Sequence, residues 1–218
     1  GADSARLLGD QGADVFKVEN SAFPDGSRQS REKELISATF VAGHRNKRGL
    51  GLNLRNDQGK KLLNALIEKS DVLMANFKGG TLQSLGLDYH SLKHINPGII
   101  IVDSSAFGPT GPWSKRMGYG PLVRASSGLT MEWQYPGEPG SFSDAITVYP
   151  DHVAARIGAI GTLALLIRRI RSGRGGSVSI SQSEVMLSHM ATKIARQALP
   201  DEVALTGYAD EEKSAVHA

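Results

Sequence analysis

The sequence of 218 residues contains no cysteine, which excludes disulfide bonds and metal sites built on thiolates. It has no apolar run near the roughly 18 residues that a membrane-spanning helix needs. Its first residues do not follow the pattern of a secretory signal peptide. Neither a Walker-type loop nor a G-x-G-x-x-G motif occurs. We therefore expect a cytoplasmic protein with no membrane partner.

An excess of charge is also lacking, since 25 basic residues face 22 acidic ones and the net charge is +3. This small excess disfavours a nucleic-acid partner. The six histidines form no pattern of metal ligands, so we expect no metal. One short basic group, Arg45, Lys47 and Arg48, has two readings: a solvated surface, or partners for a small polyanionic ligand such as a phosphorylated cofactor.

Strand-like apolar runs alternate with helical patterns along the chain. The runs cover residues 14–19, 50–54, 72–75, 99–103 and 177–180. A single helix is predicted over 181–198, ending before Pro200. The alternation predicts an α/β fold with a Rossmann-like open, mainly parallel sheet and flanking helices. Ligands of such sheets bind at the carboxyl ends of the strands, where Glu19, Asn76, Asp103 and Ser105 are expected.

A long helix with a carboxylate at its start is the main feature of the second half. Its apolar positions recur at steps of four and three, as on one helix face: Val153, Ile157, Ile160, Ala164 and Ile167. Asp151 lies at the beginning of this helix, where unpaired N–H groups and the helix dipole favour negative charge. Position alone leaves two roles open for Asp151, a helix cap or a nucleophile.

Short motifs occur in a fixed order along residues 1–198, and each is weak by itself. They are LLGDQGADVFKVE at 7–19, RNKR at 45–48, NFKGG at 76–80, LGLDY at 85–89, FGPTGP at 107–112, GYG at 118–120, SG at 127–128 and GRG at 173–175. In this order and spacing they resemble the family III CoA-transferases, the CaiB/BaiF group that includes formyl-CoA and carnitine CoA-transferases. In that group the second and third motifs read N-K-R-S and N-F-R-P-G.

The resemblance implies an activity and a set of site residues. It aligns Asp151 with a catalytic aspartate that attacks an acyl-CoA thioester, forms an aspartyl acyl-anhydride, then an aspartyl-CoA thioester, and passes CoA to a carboxylic acid. Coenzyme A or acyl-CoA is then the substrate. Its expected contacts are Asn76, Phe77, Lys78, Arg45, Lys47, Arg48 and Ser105. Ser84 stands where relatives often have an arginine near CoA, which weakens the expectation for the phosphates.

The resemblance also implies how the chain is organised. Residues 1–199 correspond to an incomplete large domain that lacks its first strand, and 200–218 to a polar tail or the start of a linker to an absent small domain. Members of the family are interlaced homodimers, so we expect a homodimer. The isolated 218-residue chain is expected to have little or no activity.

Two other functions compete with CoA transfer. An α-methylacyl-CoA racemase needs a histidine base, which would fall near Tyr119, where none is present. A non-catalytic CoA-binding remnant or assembly subunit is compatible with the incomplete chain. Two further carboxylates, Asp103 and Asp144, compete with Asp151 and are interpreted as turn or loop residues.

Overall fold

The computed structural model describes residues 1–28, 36–138, 140–141 and 148–199. The chain divides into two compact units, Gly1–Met186 and Leu187–Ala218. The first unit contains every strand described below and all the predicted site residues. Asp144 and the tail from residue 200 lie outside the described residues.

Five parallel strands form two sheets in the described part of the chain. The strands are β1 (Val15–Glu19), β2 (Lys47–Gly51), β3 (Val72–Ala75), β4 (Ile100–Ser105) and β5 (Gly176–Ser181). β1 pairs with β2, and the other sheet has the order β3-β4-β5. This arrangement confirms the predicted α/β class with parallel strands. Only the prediction of one continuous sheet differs, since no strand pairing joins β1–β2 to β3–β4–β5 among the described residues.

Helices connect and cover these strands. They are α1 (Ala2–Asp10), α2 (Ala38–His44), α3 (Asp57–Glu68), α4 (Thr81–Ser84), α5 (Tyr89–Leu92), α6 (Gly120–Ser126), α7 (Tyr149–Ser172), α8 (Gln182–His189) and α9 (Ala191–Ala198). Short 3₁₀ turns occupy Gly26–Arg28 and Leu129–Trp133. Asn56 caps α3, because its side chain accepts the Gly59 N–H at 2.7 Å. None of the described helices is long and apolar enough to cross a membrane.

Two predicted boundaries are wrong. The second strand was expected at 50–54, but β2 begins at Lys47 because its register with β1 pairs Val15 with Lys47. The single helix expected over 181–198 is two helices, since Met190 N–H bonds the Leu187 carbonyl three residues back, at 3.0 Å. No glycine or proline marks that break.

A hydrophobic core on one face holds the two sheets together. It contains Ile67 from α3, Leu92 from α5 and Ile101 from β4, all nearly inaccessible to solvent, with Val18 of β1 packed against them. On the other face, Ala154 of α7 packs with Ile100, Val102 and Ile180 of the three-stranded sheet. The three-stranded sheet is therefore covered on both faces, as parallel sheets require.

α1 and α7 pack closely on this second face. Ser4 is buried and donates its hydroxyl to the Ala155 carbonyl at 2.9 Å. A Cβ on Gly158 would lie 3.0 Å from Ser4 Oγ, so the small residues set the distance between the helices. At the helix ends His152 Nδ1 contacts Asp3 Oδ2. Burial alone would raise the pKa of Asp3, but its contacts with His152 and Arg6 lower it below the ordinary value.

A larger side chain at Gly158 should separate α1 from α7. We expect Gly158→Leu to reduce the free energy of unfolding by about 1–3 kcal/mol, because overpacking forces neighbouring groups to move. Chemical denaturation measures the change. Gly43→Leu is the matched control, since Gly43 also lies within a helix and an added Cβ there would meet nothing within 4 Å. Equal effects of the two substitutions would contradict tight packing at Gly158.

Candidate active site

Asp151 is the third residue of α7 rather than its cap. The helix begins at Tyr149, and Val148 is the capping residue, without a side-chain bond of its own. Pro150 is fully buried at the second helical position, where its fixed φ suits the first turn and no N–H is needed. The interpretation of Asp151 as the helix cap is therefore wrong. Its carboxylate lies in the first turn of α7, near the positive end of the helix dipole.

One neutral donor holds the Asp151 carboxylate. The side-chain amide of Gln182 donates from Nε2 to Asp151 Oδ1 over 2.9 Å. Gln182 is 6% exposed and follows directly after β5. Among the described residues Asp151 forms no ion pair. Gln182 is not among the site residues predicted from the sequence; its position just past the carboxyl end of a strand was the available signal.

The other carboxylate oxygen faces the start of α6. A Cβ on Gly120 would overlap Asp151 Oδ2 and would lie 2.9 Å from the Val148 Cα. Only glycine therefore allows α6 to approach the carboxylate this closely. At the start of α7, the Trp133 ring meets the Tyr149 ring edge to face, with the ring centroids 5.6 Å apart. The Arg124 guanidinium lies 4.8 Å from the centroid of the Trp133 ring. Tyr149 is the first residue of α7, so the Trp133 ring packs against the start of that helix.

Asn76, Phe77 and Lys78 follow the carboxyl end of β3 and are exposed, as expected for ligand contacts. The backbone that follows these residues is closely packed. A Cβ on Gly79 would lie 2.6 Å from the Gly108 carbonyl oxygen and 2.9 Å from that of Ser114. Lys115, which is also absent from the predicted site residues, donates to the Gly79 carbonyl at 3.5 Å. The exposed side chains thus project from a backbone that is packed against a second loop.

Gly1 connects this loop with Asp151. A Cβ on Gly1 would lie 3.4 Å from Asn76 Oδ1, so the start of α1 lies beside Asn76. On the other side, His152, the residue after Asp151, contacts Asp3 in the first turn of α1. The structure therefore brings Asn76, Asp151 and Gln182 to one region, around the first residues of α1 and α7.

Arg45 and Arg48 lie elsewhere. Arg45 donates from Nε and Nη2 to Asp10, at 3.1 and 2.6 Å, at the last residue of α1. The rise of 1.5 Å per residue puts that end about 12 Å from the start of the helix. Arg48 pairs with Asp14 at 3.1 Å and covers the Phe16 ring at 4.6 Å. Both guanidinium groups therefore have protein partners near the amino end of β2.

Lys47 is turned inward. Its ammonium donates to the carbonyls of Ala2 at 2.7 Å and Gly43 at 2.9 Å, and it contacts His44 Nδ1 at 3.1 Å. Burial, followed by the charge of Lys17, lowers the pKa of Lys47 to about 8. Burial and the charges of Lys47 and Lys17 lower the pKa of His44 to about 4. His44 is therefore neutral at pH 7, and all donors of Lys47 have contacts within the protein.

The remaining strand-end candidates differ in their surroundings. Ser105 is buried at the end of β4, opposite Ser181 of β5. Glu19 forms ion pairs with Lys17 and Arg28, both at 2.9 Å. Asp103 lies inside β4 rather than in a turn, so that interpretation is wrong. Its Oδ1 is buried and has no hydrogen-bond partner, and burial raises the pKa of Asp103.

The described residues contain no group of three or more histidine, aspartate or glutamate side chains placed to hold a metal ion. His90 and His94, which are one turn apart, meet edge to face with ring centroids 6.1 Å apart.

Comparison with known proteins identifies the family. The model of CoA-transferase family III matches residues 1–216. The chain belongs to CoA-transferase family III. This result confirms the resemblance that the ordered motifs indicate.

Related family III proteins carry transferase names. The chain is 48% identical over 203 residues to the probable CoA-transferase Rv1866 of Mycobacterium tuberculosis, and the match covers 91% of this chain and 26% of that protein. It is 31% identical over 189 residues to the succinyl-CoA–L-malate CoA-transferase alpha subunit of Chloroflexus aurantiacus, covering 85% of this chain and 44% of the relative. The chain thus spans between a quarter and a half of these relatives.

Solved structures of the family share the fold. A CaiB/BaiF family protein from Brucella suis superimposes with a TM-score of 0.78 at 31% identity, covering 89% of this chain and 52% of that one. Rv3272 of Mycobacterium tuberculosis gives a TM-score of 0.78 at 27% identity, with 91% and 54% covered. These structures support the Rossmann-like assignment.

A methyl group at Gly120 should displace the Asp151 carboxylate. We expect Gly120→Ala to lower any CoA-transferase activity of the whole protein by about a hundredfold, since small displacements of a reacting group cost that much. Steady-state kinetics measures the loss. Gly26→Ala is the control, because a Cβ at Gly26 meets nothing within 4 Å. Equal activity of the two variants would show that Gly120 has no such role.

The buried carboxylate of Asp103 should make stability depend on pH. Its folded-state pKa is raised, so ionisation at neutral pH costs stability that is regained as pH falls below the folded value. Asp103→Asn should therefore stabilise the protein at pH 7, and the gain should shrink towards about pH 4, the ordinary range of an aspartate pKa. Thermal unfolding at both pH values tests this, with exposed Glu68→Gln as control. A gain independent of pH would contradict it.

Proposed function

We propose that this chain carries the nucleophile of an acyl-CoA:carboxylate CoA-transferase and that the nucleophile is Asp151. The main support is the setting of its carboxylate, which has one neutral donor on Oδ1 at 2.9 Å and no ion-pair partner among the described residues. A carboxylate paired with a lysine or arginine would lose nucleophilicity to that charge. Asp151 instead has the helix dipole and a single amide, which orient it without neutralising it.

The proposed reaction runs through two covalent intermediates. Asp151 Oδ2 attacks the acyl carbon of the donor thioester, the carbon–sulfur bond breaks, and CoA leaves as a thiolate. The thiolate then attacks Asp151 Cγ and releases the donor as a carboxylate, which leaves an aspartyl-CoA thioester. The acceptor carboxylate displaces CoA from Cγ, and the thiolate finally attacks the acceptor acyl carbon, which regenerates Asp151.

We propose that CoA lies along Asn76, Phe77 and Lys78. These three side chains are exposed, and Gly1 places Asn76 beside the start of the helix that packs against α7. The exposed ammonium of Lys78 could pair with a phosphate and the Phe77 ring could stack. A role for Arg45, Lys47, Arg48 and Ser105 in CoA binding stays a prediction. The contacts of Arg45 with Asp10, of Arg48 with Asp14 and of Lys47 with the Ala2 and Gly43 carbonyls give it no support.

We also propose that the whole protein is a homodimer. Four apolar side chains are exposed along one length of α7: Ile160 at 67%, Leu163 at 50%, Ile167 at 59% and Ile170 at 85%. A continuous apolar surface of this kind marks an interaction site in soluble proteins.

Substitution of Asp151 tests the proposed nucleophile. We expect Asp151→Asn to lower CoA transfer by at least about a thousandfold, as loss of a covalent nucleophile does. The protein is mixed with succinyl-CoA, formyl-CoA and other acyl-CoAs, quenched in acid, digested and weighed. The wild-type peptide with Asp151 should carry acyl and CoA adducts, and the variant none.

The control for this experiment is Asp57→Asn. Asp57 is also a first-turn aspartate of a helix, but it is 95% exposed at the start of α3. Its variant should keep full activity and both adducts. Activity that survives Asp151→Asn, or CoA binding without any adduct on the wild-type peptide, would reject the nucleophile and favour a binding remnant.

A further inference from the structure

We infer that Gln182 is a catalytic residue, the oxyanion donor for attack on the side-chain carbonyl of Asp151. This inference rests on the proposed function, because it assigns a role at the covalent intermediates of Asp151. The observation behind it is the bond from Gln182 Nε2 to Asp151 Oδ1 at 2.9 Å, made by a side chain that is 6% exposed.

The two oxygens of Asp151 have different surroundings, which gives them different roles. Oδ1 has the amide donor of Gln182, whereas Oδ2 faces the Cα of Gly120, where a Cβ would overlap it. Among the described residues no donor reaches Oδ2, so we assign the attack on the thioester to Oδ2. Oδ1 then remains as the carbonyl oxygen of both the anhydride and the aspartyl-CoA thioester.

Negative charge develops on Oδ1 in only two of the four steps. When the CoA thiolate attacks Cγ, the carbon–oxygen π electrons move to Oδ1, and they return as the Cγ–Oδ2 bond breaks and the donor carboxylate leaves. When the acceptor carboxylate attacks Cγ of the thioester, Oδ1 again takes the charge until the Cγ–S bond breaks. In the first and last steps charge develops on an acyl oxygen of the substrate instead.

Gln182 is placed to stabilise these two oxyanions and no others. Its amide already donates to Oδ1 before any reaction, so no reorganisation is needed when the charge forms. The position is fixed by β5, which ends one residue earlier at Ser181, and by the burial of the side chain. A carboxylate only accepts hydrogen bonds, so the amide must present its N–H group to it.

The test removes the donor while keeping the volume. In the whole protein encoded by the gene, Gln182→Met should lower kcat by about a hundredfold to a thousandfold, as loss of an oxyanion donor does. The first step should survive, so the acyl adduct on the Asp151 peptide should accumulate while the CoA adduct declines. Acid-quench mass spectrometry with a single acyl-CoA gives the ratio of the two adducts.

Ser183→Ala is the matched control. Ser183 is the next residue, and its hydroxyl contacts Ser181 at 3.0 Å rather than Asp151. This variant should keep the wild-type kcat and adduct ratio. A merely structural role of Gln182 would reduce both adducts together and would not raise the acyl adduct.

A second variant covers the case in which Gln182→Met does not fold. Gln182→Glu keeps the shape, and the new carboxyl donates a hydrogen bond only when protonated. Its kcat relative to wild type should therefore rise as pH falls from 8 to 5. Parallel pH profiles of this variant and the wild type would overturn the inference.

The outcomes separate the two proposals. Loss of activity and adducts in Asp151→Asn, together with wild-type kcat and adduct ratio in Gln182→Met, would overturn only the role of Gln182. Equal loss of both adducts in Gln182→Met would overturn it as well. Full activity of Asp151→Asn would reject the nucleophile, and the inference about Gln182 with it.

Discussion

The packing of α1 against α7 is the contact on which the candidate site depends. α7 covers the three-stranded sheet through Ala154, and α1 contacts β1, so the interface of the two helices links the separate sheets on this face. It is made by small residues, Ser4, Ala155 and Gly158, whose backbones approach closely. A close approach of this kind tolerates little variation in volume. The first turns of both helices meet at one end of this interface, and Asp151 and Asn76 lie there.

Electrostatics around Asp151 differ from those in the rest of the unit. Arg45, Arg48, Lys17 and Arg28 are paired with carboxylates, and these pairs lie near β1, β2 and the carboxyl end of α1. Asp151 has an amide donor and a helix dipole instead. Dipoles that are fixed by the fold orient a charge without cancelling it.

Sequence patterns predicted most elements of the fold because hydrophobic periodicity and caps are local. The apolar run that ends at Asp103 is an example, since the strand predicted at 99–103 is confirmed as β4 with small shifts at its ends. The start of β2 could not be predicted, since pairing with β1 decides it. The break at Met190 has no local signal.

The candidate site was predictable only in part, for a similar reason. Asp151 follows from an ordered set of motifs, and Asn76 from its place after a strand. Gln182 is far from Asp151 in sequence, and only the pairing of β4 with β5 brings it to the start of α7. The roles in CoA binding expected of Arg45 and Arg48 rest on their charge and on a family motif, and they stay predictions. The structure shows that Asp10 and Asp14 are already beside them.

The pairing of β4 with β5 also bears on how the protein folds. Ile100 and Gly176 are partners, although α6 and α7 lie between them along the chain. Parallel pairings across such long segments form late, because the entropy of closing the loop must be lost before the contacts stabilise it. Helices such as α3 can form earlier from local contacts. On a ribosome the carboxylate would therefore be made well before its amide donor, and would acquire its geometry only when the last strand of the unit joins the sheet.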